Sequence, residues 1–203
     1  MTPLPPCFET ICVQQRQFSK LLPYHKARLN RTRAALWPAS GPIDLSSILI
    51  IPDAVGPEKY KCRVTYGSEI VNIEWEKYQY RTIQSLRLVE ADAVDYAYKY
   101  KNRDALNALH AQRGECDDVL IVKNGLITDT SYANVAFFDG IAWYTPAQPL
   151  LPGTQRAFLL DEGVIVSREI RVDDLGQYGA VKLFNAMVGW GEGAELAIGE
   201  VIQ

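Results

Sequence analysis

Residues 117–146 read DDVLIVKNGLITDTSYANVAFFDGIAWYTP, apolar runs broken by short polar turns. Asn124-Gly125 and Asp139-Gly140 each lie between runs rich in Val, Ile, Leu and Phe, and both dipeptides accept the positive φ that a tight hairpin turn demands. The stretch predicts two β-hairpins in succession, together an antiparallel meander. The rest of the chain is read outward from that sheet.

Toward the N-terminus, IQSLRLVEA (83–91) reads as one more strand, and RDALNALHAQRG (103–114) as a helix ending at Gly114 in the position of a C-terminal glycine cap. Earlier still, CFETICVQQRQF (7–18) alternates as a strand pair turning near Gln15. LLPYHKARLNRTRAALW (21–37) reads as a helix that tolerates Pro23 in its first turn and stops at Pro38. Its pattern puts Leu22, His25, Leu29, Ala35 and Leu36 on one side and Lys26, Arg28, Arg31 and Arg33 mostly elsewhere. PIDLSSILII (42–51) offers an Asp or Ser start for a short helix, and KYKCRVTYG (59–67) and EIVNIEWEKYQ (69–79) are strands joined near Gly67-Ser68. Beyond the meander, LPGTQRAFLLDEG (151–163) is a loop feeding a helix, VIVSREIRV (164–172) a strand, DDLGQYG (173–179) a helical turn and AVKLFNAMVGW (180–190) a buried strand. The fold class is α/β in the α+β sense: a small N-terminal α/β domain over 1–82 and a larger one with mostly antiparallel sheet over 83–203.

Composition narrows the functions. With 203 residues and 48% hydrophobic content the chain can bury a core, and a net charge of −3, from 21 basic and 24 acidic residues, gives no reason to expect nucleic acid or an anionic membrane as partner. No apolar run approaches the roughly 20 residues of a membrane span, and MTPLPPCFET lacks the features of a signal peptide, so a cytoplasmic location is expected. Cys7, Cys12, Cys62 and Cys116 form no CxxC pair and suit buried, reduced thiols. His25 and His110 are the only histidines, which supplies a zinc site or a histidine dyad poorly; no metal is expected. Chemistry then falls to lysine, carboxylate or a cofactor.

Four features are candidates. Pro152-Gly153 before a helix places free amides where an anion can bind, although such a turn is usually only a turn. Arg28 has a guanidinium fork suited to phosphate or carboxylate, on a helix whose basic residues otherwise read as a solvated face. Asp129, among Thr128, Thr130 and Asn134, is either a functional acid or a hydrogen-bonded strand-end residue. In YAYKYKNRDAL (96–106), Lys99 and Lys101 are equally eligible as a reactive amine, and spacing does not choose between them.

Taken together, FET (8–10), HKARL (25–29), KYKN (99–102), TDTSYAN (128–134), YTP (144–146) and LPGTQR (151–156) resemble, in order, the motifs of the class IV aminotransferase family of fold-type IV pyridoxal-phosphate enzymes. LFNAM (183–187) and the Lys99-to-Asn102 spacing are similar to its aminodeoxychorismate lyase-like branch. The resemblance implies a PLP-dependent enzyme, cytoplasmic and homodimeric, acting on a small-molecule amine. The expected reaction releases pyruvate from 4-amino-4-deoxychorismate to give 4-aminobenzoate; the alternatives are an amino-acid transaminase of the branched-chain or D-amino-acid type, or a catalytically degenerate binding protein. By the same resemblance Lys99 bonds the cofactor and then serves as base, leaving Lys101 a solvated charge, and Asp129 faces the pyridine nitrogen where the family has glutamate. Arg28, Gly153, Thr154, Gln155, Asn185 and Ala186 surround the phosphate, and Asn134 completes the cofactor set. Arg103 is the candidate for a substrate carboxylate. The segment before FET is expected to be shorter than in the family, which shortens one wall of the site.

Overall fold

A computed structural model describes residues 4–202 and divides the chain into two compact units. The first comprises the chain up to Gln79 together with Tyr98–Asn102, and the second comprises Tyr80–Ala97 and everything from Arg103 onward. The lysine segment thus belongs to the first unit. The reason is backbone pairing: Phe8 N donates to Lys99 O at 2.9 Å, Lys101 N donates to Pro6 O at 2.8 Å, and Cys7 bridges Tyr100 in antiparallel register.

In the first unit β1 (Cys7–Gln14) turns at Gln15 and Arg16, both at positive φ, into the two-residue β2 (Gln17–Phe18). Helix α1 (Leu22–Leu36) follows, then α2 (Leu45–Ile48), whose start is capped by the Asp44 side chain accepting from Ser46 N. Strands β3 (Tyr60–Tyr66) and β4 (Ile70–Lys77) complete an antiparallel sheet of order β2-β1-β3-β4. Its core gathers Cys7, Ile11 and Val13 of β1 with Leu29 of α1, Leu45 of α2, and Cys62, Val64 and Tyr66 of β3.

The buried stripe of α1 differs from the sequence expectation. His25, Arg28, Leu29, Thr32 and Arg33 are inside, at the i, i+3, i+4 spacing of one helical face, while Ala35 is exposed. Arg33 is not a solvated charge. Its guanidinium donates to Gly67 O at 3.2 Å, Gly41 O at 2.6 Å and Ser68 O, tying the helix to the β3–β4 turn and to the loop before α2.

The second unit begins with β5 (Leu86–Glu90), followed by α3 (Asp104–His110), a 3₁₀ turn and Gly114 at φ 59°. The first hairpin, β6 (Asp118–Lys123) and β7 (Leu126–Thr130), turns at Asn124 and Gly125 with φ of 52° and 75°. The second, β8 (Asn134–Phe138) and β9 (Trp143–Pro146), turns through Gly140 at φ 93°. Helix α4 (Thr154–Asp161), the exposed β10 (Val166–Arg168), a 3₁₀ segment and β11 (Ala180–Phe184) follow, then β12 (Glu195–Ala197) and β13 (Val201–Ile202), two short strands not foreseen in the sequence.

Both hairpins form as expected, but they do not make one meander. One sheet has the order β13-β5-β6-β7 and the other β10-β9-β8-β11-β12. Between the hairpins the chain turns sharply, with Thr130 N bonding Ala133 O at 2.9 Å and Thr130 Oγ1 accepting from Ala133 N at 3.0 Å, and it changes sheet there. Ile127, Leu120, Val135, Phe137, Val181 and Leu183 from the two sheets share one core. Most pairings are antiparallel; β5 pairs in parallel with β6 and β13, and β9 with β10.

Candidate active site

In the first unit the predicted residues Arg28 and Lys99 are joined by two that the sequence reading did not single out. Glu9 lies in the middle of β1 with no exposed surface, on the face that carries Cys7, Ile11 and Val13. An ionised carboxylate there is tolerable only if paired. Arg28 supplies the partner, with Nε to Oε1 at 2.9 Å and Nη2 to Oε2 at 2.5 Å, and His25 Nδ1 meets Oε2 at 2.6 Å. Burial works against the charge on Glu9, but Arg28 and His25 override it and hold the carboxyl at about 2. His25 is driven the other way: burial keeps the imidazole neutral, despite the Glu9 contact, and the Lys99 charge adds to that. Since Glu9 is an acceptor only, His25 Nδ1 must carry the proton.

Lys99 is half-buried with its Nζ 4.9 Å from the centroid of the Phe8 ring, and Arg63 lies 5.4 Å from the same ring. Lys101, two residues on, is exposed. The signal for the Glu9 cluster was available in the sequence: a glutamate inside an apolar strand, followed by a helix offering His and Arg three residues apart.

In the second unit the site candidates converge on the start of α4. Asp129, on β7, is nearly fully buried; its Oδ1 accepts from Asn134 Nδ2 at 2.7 Å and its Oδ2 from Leu151 N at 2.8 Å. Burial raises the carboxyl to about 6, a rise moderated by the two amide donors and by the Arg156 charge. Asn134 also donates to Leu151 O at 3.0 Å, so its amide clamps the acid to the LPG turn. The turn fits because residue 153 has no side chain: a Cβ on Gly153 would stand 1.9 Å from Asn134 Oδ1. Gly153 is the N-cap of α4 and offers no capping side chain, while Thr154, Gln155 and Arg156 of the first turn are buried. Arg156, missed in the sequence, donates through Nη2 to Pro146 O at 2.8 Å, and its buried Nε has no hydrogen-bond partner among the described residues.

Asn185 and Ala186 follow β11. The Asn185 side chain organises its own turn, accepting from Met187 N at 2.8 Å and Val188 N at 3.0 Å and donating to Tyr132 O at 3.3 Å. Arg103 stacks 5.9 Å from the Tyr96 ring and donates through Nη2 to Ser131 O at 2.7 Å. That bond makes it a support of the turn after Asp129, with part of its fork engaged by the protein itself.

Pyridoxal phosphate asks a protein for an amine, an acid at the ring nitrogen and donors for a phosphate. By residue type the chain supplies each kind: Lys99 and Arg28 in the first unit, and Asp129 and the first-turn amides of α4 in the second. Asp129 accepts from Asn134 Nδ2 on one oxygen and from Leu151 N on the other, and the Leu150 backbone adds to the hold. The donor set fits the group.

Comparison with known proteins agrees with the fold. A structure from Haemophilus somnus 129PT, provisionally assigned as a 4-amino-4-deoxychorismate lyase, is 36% identical, with a TM-score of 0.85 over 91% of this chain and 97% of that one. An uncharacterized protein of Haemophilus influenzae is 36% identical over 91% of this chain and 98% of its own length. An amino-acid aminotransferase, also provisionally assigned, from Mesorhizobium loti shares the fold at 22% identity, with a TM-score of 0.79 over 97% of this chain and 99% of that one. The sequence pattern of the family described as amino-transferase class IV matches residues 6–196, nearly the whole chain, and is that of the fold-type IV enzymes to which the motifs pointed. This protein belongs to the class IV aminotransferase family.

Proposed function

We propose that the chain is a cytoplasmic, homodimeric, pyridoxal-phosphate-dependent lyase that releases pyruvate from 4-amino-4-deoxychorismate to give 4-aminobenzoate. The carrying observation is Asp129: a carboxylate almost wholly out of water, held by two amide donors, and ionised above about pH 6. Its side chain is an acceptor for a protonated ring nitrogen. The cofactor, when bound, supplies an electron sink for the carbon next to the substrate amine. Support for the lyase direction comes from the Haemophilus somnus relative and from a Schizosaccharomyces pombe protein provisionally named an aminodeoxychorismate lyase, 35% identical over 41% of this chain and 38% of its own length.

Each residue has a definite task. Lys99 would provide the amine that bonds the cofactor, and its Nζ would then take the proton from the substrate carbon that bears the amine and pass it to the departing enolpyruvate, which leaves as pyruvate. Arg28 and the amides of Thr154 and Gln155 bind the phosphate, and Asn185 shapes the second phosphate turn through Ala186. Asn134 and the Leu151 amide keep the Asp129 carboxylate fixed and dry, while Arg156 offsets its charge. Arg103 holds the Ser131 carbonyl and offers the rest of its fork to a substrate carboxylate.

The test is direct. Protein mixed with pyridoxal phosphate is expected to acquire a visible absorption band that borohydride bleaches, fixing the label on Lys99; Lys99→Ala loses both. With 4-amino-4-deoxychorismate the loaded protein should form 4-aminobenzoate and pyruvate in equal amounts. Keto-acid-dependent amine transfer without 4-aminobenzoate would make it a transaminase, colour without turnover a binding protein, and failure to take up the cofactor would overturn the enzyme reading.

A further inference from the structure

Arg28 is an unusual residue to offer a phosphate, because its charge is already matched by the ionised Glu9. With His25 neutral, the cluster of Glu9, His25 and Arg28 carries no net charge. A purely Coulombic account therefore makes Glu9 harmful to anion binding: it repels what Arg28 attracts. Geometry gives it the opposite sign. A guanidinium is a planar fork whose hydrogen bonds count only when aimed.

Glu9 grips the Nε and Nη2 edge with both oxygens, which fixes the plane of the fork. Glu9 is itself held: it has no exposed surface, Oε2 takes the proton-bearing Nδ1 of His25, and its strand is bonded at the preceding residue, Phe8, to the main chain of Lys99. The neighbouring Cys7 thiol, pushed by burial up to about 12, adds no second anion. We propose that Glu9, steadied by His25, is the positioning residue that aims Arg28 at the cofactor phosphate, an inference that rests on the function proposed above.

Pyridoxal has the ring and aldehyde of pyridoxal phosphate and lacks only the phosphate, so the ratio of the two affinities isolates the phosphate contacts. Wild-type protein, Glu9→Gln and His25→Gln are titrated with each compound by tryptophan fluorescence, with melting temperatures in parallel. Glu9→Gln keeps the volume but places an amide against the fork. It should lower the ratio about tenfold or more, as mis-aimed charge-assisted bonds do, while pyridoxal affinity stays within about threefold. If Glu9→Gln does not fold, His25→Gln reads the same quantity, and a fall of about threefold is expected from the loosened carboxylate. An unchanged or increased ratio in the folded variant overturns the proposal, and so does equal weakening toward both compounds, the signature of general damage. Wild-type protein that binds neither compound overturns the function itself, and is distinguishable because no ratio then exists to change.

Discussion

Asp129 is where single-residue chemistry and stability meet. A carboxyl raised from 3.8 to about 6 by burial favours the proton in the folded state. Its contribution to stability is fully present below about pH 4 and is lost as pH rises through 6, by at most about 3 kcal/mol. Glu9 acts in the opposite sense: its folded value near 2 lies below the ordinary 4.5, so its contribution is present above about pH 4.5 and lost on acidification toward 2. The stability of wild-type apoprotein relative to Asp129→Asn should therefore be greatest near pH 4 and fall by about 2–3 kcal/mol by pH 7.5 in urea titrations. A difference that is flat across that window would remove Asp129 as a strained buried acid. The motif holds both this residue and Asn134, but not its backbone partner. Leu151 is 22 residues away and acts through its backbone, which no side-chain pattern records.

At the scale of elements, helix α1 shows what periodicity can and cannot find. The helix itself was legible, from the proline at its start to the one beyond its end. Its inward face was not, because Arg28 and Arg33 read as solvated until their partners are known; that of Arg28 lies 19 residues away, and those of Arg33 lie 8, 34 and 35 residues away. Replacing Arg33 with Met leaves three carbonyls without a donor and should cost about 2–4 kcal/mol of stability, seen as a lower urea midpoint; Arg33→Lys should recover little, since one ammonium cannot match a three-way fork. The hairpin turns were legible because Asn-Gly and Asp-Gly announce positive φ. The change of sheet between them was not, because it depends on Thr130 closing on Ala133 instead of extending the strand. The LPG turn makes the same point: Gly153 has φ −70°, which any residue adopts, so it is glycine for space alone. Gly153→Ala should push Asn134 away from Asp129, cost about 1–3 kcal/mol as overpacking does, and weaken pyridoxal-phosphate binding in the same titration.

Across the whole molecule the two units have separate cores, and the sequence showed the first more completely than the second. The first sheet joins two hairpins, β1–β2 and β3–β4, by an antiparallel β1–β3 pairing, whereas the second unit closes through β13, a two-residue strand laid parallel to β5 from more than a hundred residues away. Such long-range parallel pairing leaves no local signature. The four cysteines report on this organisation as a set. Cys7, Cys12 and Cys62 lie in the first unit and Cys116 in the second, all buried and none in a disulfide. Burial raises both Cys7 and Cys62 to about 12, so neither provides a thiolate near neutral pH, and a thiol reagent needs the thiolate as well as access. At pH 8 the folded protein should be nearly inert to an aromatic disulfide reagent, with all four thiols reacting once guanidinium unfolds both cores. The three thiols of the first unit should appear earlier in Arg33→Met than in wild type as denaturant rises, because that substitution loosens the unit that contains them. Fast reaction of any of the four in the native protein would show that its strand or loop opens at a free energy far below that of global unfolding.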